Sequence, residues 1–319
     1  MSATIHPDGF PMDRYVVGLL RLLDKIEYND ANWTPSDRLS TLRYCWMKGA
    51  HYFAQSHVQE TLNLESEFVD ARLATVVQMV VYSWSTVPLE VKVDLSFLMI
   101  APKITLQQCA RSGRIVSRVG LQIILGYDFS ISNYLGLWIE NAKFGGYAGS
   151  RQFPLFLRRL TGLGHAVGAT LFPSEDFDDQ ELFGDITSAI VELDYYMFLV
   201  NDFISFYKEY EQEDMILVKN YARTESISVS DALDKVSQEA IEAADRLMCV
   251  FATKHPSVFK AIRAFMHGYR TKEVVASLDG SEAANRLRDY YEQAQKTGQI
   301  LVAEWATPSI GDIVTQNKT

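Results

Sequence analysis

Asn201-Asp202-Phe203-Ile204-Ser205-Phe206-Tyr207-Lys208-Glu209 is the stretch on which the reading of this chain turns. It places an amide, a hydroxyl and a carboxylate four residues apart inside an otherwise apolar, aromatic run. On an α-helix each step of four advances by about 40°, so Asn201, Ser205 and Glu209 fall within an arc of roughly 80°. Three oxygen donors on one stripe can grip a small hard cation such as Mg²⁺, which completes its shell with water or phosphate oxygens. Lys208 beside them is a natural point charge for a phosphate oxygen. The competing reading is a solvated face, because Asp194, Lys208 and Gln212 extend the same polar sector.

Around this stretch the chain reads as helices joined by short turns. Residues 13–28 carry Tyr15, Val16, Leu19, Leu20, Leu22 and Leu23 at helical spacing. Ser36-Asp37 is a candidate cap for the next helix, which runs through Leu39, Leu42, Tyr44 and Trp46. Residues 67–87 form a long apolar helix ending at Pro88, and 128–143 form another that stops at Gly145-Gly146. One helix is expected from Phe153-Pro154 through Arg158-Arg159 and onward past Gly162, Gly164 and Gly168. Those glycines suit either close helix packing or room for a ligand. Helices at 179–211, 229–253, 256–276 and 283–297 follow. Neither alternating strands nor tandem repeats nor a low-complexity linker interrupts them, so the expectation is one all-α domain over 1–319, with residues 1–12 disordered.

The 319 residues can bury a sizeable core, and 48% of them are hydrophobic. Thirty basic against forty acidic residues give a formal charge of −10, which argues against nucleic acid as a partner. A diphosphate is still accessible to an acidic protein where a metal ion and a few Arg or Lys supply local positive charge. Cys45, Cys109 and Cys249 show neither zinc spacing nor a disulfide framework, as expected of a reduced, cytoplasmic chain. The apolar runs are too short for a membrane span. The histidines and isolated serines offer no catalytic triad, and no residue is assigned as catalytic. His165 and His267 read as packing histidines.

The motif at 201–209 resembles the second metal-binding motif of class I terpene cyclases, (Asn/Asp)-Asp-x-x-(Ser/Thr)-x-x-x-Glu, at all four specified positions. Together with LVKNY at 217–221 it is similar to the trichodiene synthase family of fungal sesquiterpene cyclases. The similarity extends to HYFAQ (51–55), MVVYSW (79–84), the run 138–173 containing FGGYAGSRQFPLFLRRL, TSAI (187–190), FMHGY (265–269) and YEQA (291–294). The resemblance implies a helical bundle around an apolar cavity and ionisation of farnesyl diphosphate with Mg²⁺. It implies Asn201, Ser205 and Glu209 as metal ligands and Arg158 and Lys208 as diphosphate contacts. Periodicity alone leaves open which of Arg158 and Arg159 points inward. Trp138, Tyr195 and Tyr196 are candidates for an aromatic cavity wall that shields a carbocation. A homodimer is also implied.

Two segments depart from the family pattern. Its Asp-rich metal motif should follow Asp94-Leu95-Ser96-Phe97, yet Asp128 is the next acidic residue, and 98–126 is unlike the family. The Asp-Arg-x-Tyr element expected after Tyr269 is also lacking, with Tyr269-Arg270 as a candidate remnant. The two segments are shorter than the family's by roughly thirty and a dozen residues. Read from the third base of each codon, Met99-Ile100 necessarily encodes an aspartate, so a shifted frame would restore acidity here. The alternatives are therefore a non-catalytic relative that binds prenyl diphosphate, a frame-altered product of an active cyclase gene, and a structural helical partner protein.

Overall fold

The computed structural model describes residues 9–27, 34–62, 65–100, 139, 141–160, 163–178, 180–211, 215–268 and 305–316. Among these it contains helices and no strand. In chain order the helices are α1 (Met12–Lys25), α2 (Pro35–Phe53), α3 (Ser56–Leu62), α4 (Ser66–Ser83), α5 (Leu89–Ile100) and α6 (Phe153–Arg159). Then come α7 (Leu163–Thr170), α8 (Phe183–Glu209), α9 (Leu217–Glu225), α10 (Val229–Phe251), α11 (Pro256–Gly268) and α12 (Ile310–Gln316).

The organising element is α8, whose 27 residues extend about 40 Å at the usual helical rise. It is buried on more than one side: Ile190, Leu193, Met197, Leu199, Phe203 and Phe206 all lie in the core. A helix apolar around most of its circumference belongs in the interior of a bundle. Here α7, α10 and, toward the C-terminal end, α6 and α9 pack around it. The approach of α7 is very close. A methyl added at Gly164 would sit 2.6 Å from the Asp194 Cα, and one at Gly168 would sit 3.1 Å from the Ile190 Cα. At these two positions the glycines serve helix packing.

Helix α1 lies along α10, with Gly18 close against Ser237 and with Tyr15, Val16, Leu19 and Leu22 buried. On the exposed side of this contact Arg14 pairs with Asp231 at 2.9 Å and Asp234 at 2.6 Å. Phe10, Tyr15, Phe203, Phe206 and Tyr207 form an aromatic cluster with centroid separations of 5.4–6.4 Å. The Tyr15 hydroxyl donates to the Ile204 carbonyl at 2.9 Å, and full burial pushes its pKa far up. A second core joins α2, α4 and α12 around Trp46, Leu73, Val77, Trp305 and Ile310. Trp46 Nε1 donates to the Pro308 carbonyl at 3.1 Å, and Asp70 accepts from the Ile310 amide at 3.0 Å.

Several boundaries differ from the sequence reading. The cap of α2 is Thr34, whose hydroxyl accepts from the Asp37 amide, with Pro35 in the first helical turn; Ser36 lies inside the helix. The expected single helix from Phe153 past Gly168 is two helices, broken after Arg159. The long helix at 67–87 ends at Ser83, and α5 begins only after Pro88. Of the stretch 1–12 expected to be disordered, Phe10 is buried and Met12 opens α1, while residues 1–8, most of the expected 128–143 helix, the end of 256–276 and all of 283–297 lie outside the described residues. No helix among the described residues is long and apolar enough to cross a membrane.

Candidate active site

The C-terminal third of α8 carries the motif. Asn201, Ser205 and Glu209 are each half-buried, so their stripe is neither fully solvated nor sealed in the core. The Ser205 hydroxyl donates to Glu209 Oε2 at 2.8 Å, bringing two of the three oxygen donors together one turn apart. Asp194, which the sequence grouped with a wet face, is only 5% exposed and lies under α7. The polar sector is thus not a simple solvated surface.

Helix α6 delivers the cation opposite. Pro154 in its first turn sets the helix start, Leu157 anchors it in the interior, and α6 rests on α8 and α9. Arg158 Nη2 lies 2.5 Å from Asp202 Oδ1 and donates to Asn201 Oδ1 at 3.4 Å. Asp202 is 1% exposed, so this is an interior ion pair at the edge of the motif. Arg159 points elsewhere: its side chain is 50% exposed and its Nε lies 4.0 Å from Asp194 Oδ2. Of the two arginines, Arg158 is therefore the one that points inward.

The loop before α6 is held by α9. Gly145 lies so close to Arg223 that an added methyl would overlap Nη1 at 1.6 Å, and Gly146 takes a left-handed φ of +93°. Arg223 Nη1 donates to Asn220 Oδ1 at 3.2 Å, Asn220 Nδ2 donates to the Met215 carbonyl at 3.0 Å, and the Gly149 amide donates to the Thr224 carbonyl at 2.7 Å. LVKNY and FGGYAG are thus one joint, which sets where α6 starts.

On another side of α8, Tyr195 packs edge-on against Phe198, with the Arg246 guanidinium 5.3 Å from its ring centroid. Burial first, and then the Glu239 carboxylate, raise the Tyr195 pKa. Tyr221 donates to Glu239 Oε2 at 2.9 Å, and burial raises the pKa of both. Lys235, in ion-pair contact with Glu225, sits 4.3 Å from the Tyr221 ring centroid. Tyr196, by contrast, is 1% exposed inside the main core. His267 bonds the Ile26 carbonyl at 2.8 Å, tying α11 to the end of α1. Trp138, Tyr269, Arg270 and the side chains of Lys208 and His165 lie outside what is described.

The donor set suits a hard, oxygen-loving cation, since an amide, a hydroxyl and one carboxylate share a stripe and two of them already touch. Among the described residues no group of three His, Cys, Asp or Glu side chains is placed to hold a metal ion. With one carboxylate among its three donors, the set carries little charge of its own. The residue that sequence reasoning left without a role is Asp202. Its signal was available as an acid among aromatic residues on α8 facing the basic FLRRL segment.

Comparison with known proteins agrees with this architecture. The family described as Trichodiene synthase (TRI5) matches residues 9–109 and 123–319, so of the stretch 98–126 expected to depart from the pattern only 110–122 is unmatched. The chain is 34% identical over 351 residues to trichodiene synthase of Gibberella pulicaris, covering 96% of this chain and 91% of that protein. It is 35% identical over 350 residues to that of Fusarium poae, covering 96% and 93%. For the Stachybotrys chartarum enzyme the identity is 34% over 355 residues, covering 98% and 93%. An alignment of 351 positions against a chain of 319 leaves at least 32 without a counterpart here, in keeping with the two short segments. With its all-α bundle, its intact motif on α8 and matches over nearly its whole length, this chain belongs to the trichodiene synthase family.

Proposed function

We propose that this chain is a class I sesquiterpene cyclase, a lyase that converts farnesyl diphosphate to a cyclic sesquiterpene and inorganic diphosphate with Mg²⁺ as cofactor. The observation that carries the reading is the juxtaposition of Arg158 with Asn201 at 3.4 Å, beside the linked Ser205–Glu209 pair. A site for a cation and a site for an anion thereby adjoin, as departure of a diphosphate requires.

Asn201, Ser205 and Glu209 would hold the cation. Bound Mg²⁺ would supply positive charge to the diphosphate as the allylic C–O bond breaks. Arg158 adds a fixed guanidinium, whose planar fork matches phosphate oxygens, and Lys208, Tyr269 and Arg270 are proposed as further diphosphate contacts. Such donors act through placement, because charge already oriented costs no reorganisation when the bond breaks. Trp138, Tyr195 and Tyr196 are proposed as aromatic groups facing the hydrocarbon, where a ring attracts a carbocation without capturing it. A single domain, a cytoplasmic location and a homodimer belong to the same proposal, with no role for nucleic acid.

A second reading has its own support. No acidic residue lies between Asp94 and Asp128, so the family's Asp-rich metal motif has no counterpart in sequence, which favours a relative that binds prenyl diphosphate without turning it over. One experiment separates the two. The purified chain is incubated with farnesyl diphosphate and Mg²⁺, and the extract is analysed by gas chromatography–mass spectrometry. A cyclic product, lost in the N201A/E209A variant, supports the cyclase. Thermal stabilisation by the diphosphate without product supports the binding-only relative.

A further inference from the structure

We propose that Asp202 is a positioning residue, whose buried carboxylate holds the Arg158 guanidinium against the metal-binding stripe so that Arg158 can receive a diphosphate. This rests on the functional reading above and assigns a role to the one specified position of the motif that had none. Asp202 follows Asn201 by a 100° turn of the helix and shares a row with Phe198 and Phe206, both buried. A carboxylate among such neighbours is costly unless a charged partner meets it. Arg158 is that partner, 2.5 Å away, with its own side chain only 18% exposed. The same nitrogen, Nη2, also reaches Asn201 Oδ1 at 3.4 Å.

One guanidinium nitrogen is thus shared by two consecutive residues of α8, an acid on the core side and an amide on the stripe. The acid supplies the strong, charge-assisted contact that anchors this end of the guanidinium. The amide contact is long and weak, so an anion can compete for it. Arg158 is therefore anchored from behind by Asp202 and is exchangeable in front, where Asn201 stands. An Arg tied only to Asn201 would lose its anchor when that amide turned to a metal ion. With Asp202 behind it, it remains in place.

The test is a double-mutant cycle on Asp202 and Arg158, read by calorimetric titration of inorganic diphosphate in the presence of Mg²⁺, with chemical denaturation run on each protein. D202N should bind diphosphate roughly tenfold more weakly than wild type, about 1.4 kcal/mol. R158Q should be weakened at least as much, and R158Q/D202N should be no weaker than R158Q. The double variant removes both charges, so it answers the question even where D202N alone folds poorly. D202E, which restores a carboxylate, should recover part of the affinity. Diphosphate affinity at the wild-type level in a destabilised D202N would make the pair merely structural and overturn the proposal. Additive losses in the double variant would make Asp202 a metal ligand and overturn it as well. A wild type that takes up no diphosphate refutes the functional reading and this role with it, whereas normal wild-type binding with an unaffected D202N refutes the role alone.

Discussion

Gly164→Ala tests the packing that seats α8. The added methyl would lie 2.3 Å from Asp194 Oδ1, 2.6 Å from its Cα and 2.7 Å from its carbonyl oxygen. The carboxylate can rotate away, but the two backbone atoms cannot. Ordinary van der Waals contact begins near 3.4 Å, so α7 must retreat by roughly 0.8 Å. That retreat opens the next turn, where Gly168 rests on Ile190. Overpacking of this kind costs about 1–3 kcal/mol, and the better helix propensity of alanine returns up to about 1 kcal/mol. The expected net loss is about 1–2 kcal/mol, read from urea denaturation followed by far-ultraviolet circular dichroism. Gly184→Ala is the internal control. Gly184 lies in the first turn of α8 with nothing within 4 Å of an added methyl, so that variant should be neutral or stabilised by about 0.5 kcal/mol. A G164A protein as stable as G184A would refute the argument that α7 and α8 meet backbone to backbone.

Three other outcomes are expected. Burial holds the Lys92 ammonium down to about 8 from its ordinary 10.5, so the folded state binds fewer protons than the unfolded one between those values. The Lys92 contribution to stability should therefore rise from pH 8 toward 10 by about 1–2 kcal/mol, read as the pH-dependent difference between wild type and K92M in denaturation curves, because the buried Cys45 thiol, pushed up to about 12, acts in the opposite sense over the same range. Ser205→Ala removes the hydroxyl that Glu209 accepts at 2.8 Å, and should raise the Mg²⁺ needed for half-maximal diphosphate binding roughly tenfold, as judged by titration. Sequencing of full-length transcripts across Phe97–Cys109 should find a frame or splice form that encodes aspartates there; transcripts carrying only the present frame would refute that origin for the gap.

Helix α10 was legible because its burial follows the helical period, and α8 because its apolar run is too long for a strand. The 179–211 expectation became Phe183–Glu209, and 229–253 became Val229–Phe251. Helix α5 escaped notice because it buries Val91, Lys92, Val93, Leu95 and Ser96 on several sides and so leaves no clear period to read. The break between α6 and α7 was hidden because the glycine-containing run is apolar on both sides of it, and α7 is set by its fit against α8. Helix α12 is secured by distant partners, Trp46 and Asp70, which no local window contains. At the site, the four-residue spacing of Asn201, Ser205 and Glu209 was visible in the sequence. The choice of Arg158 over Arg159 was not, since both flank the same apolar face. It depends on a buried acid 44 positions away, and burial of a single acid leaves no mark on local periodicity.

Because all three motif oxygens ride on one unbroken helix, their mutual placement is a property of the backbone count. A single inserted or deleted residue between 201 and 209 would swing the later donors by 100° around α8 and turn them into the core or onto a neighbouring helix. No loop adjustment could restore the stripe. Length variation in such proteins is therefore tolerated only outside that counted interval. In this chain the interval from Asn201 to Glu209 keeps the full span of the motif.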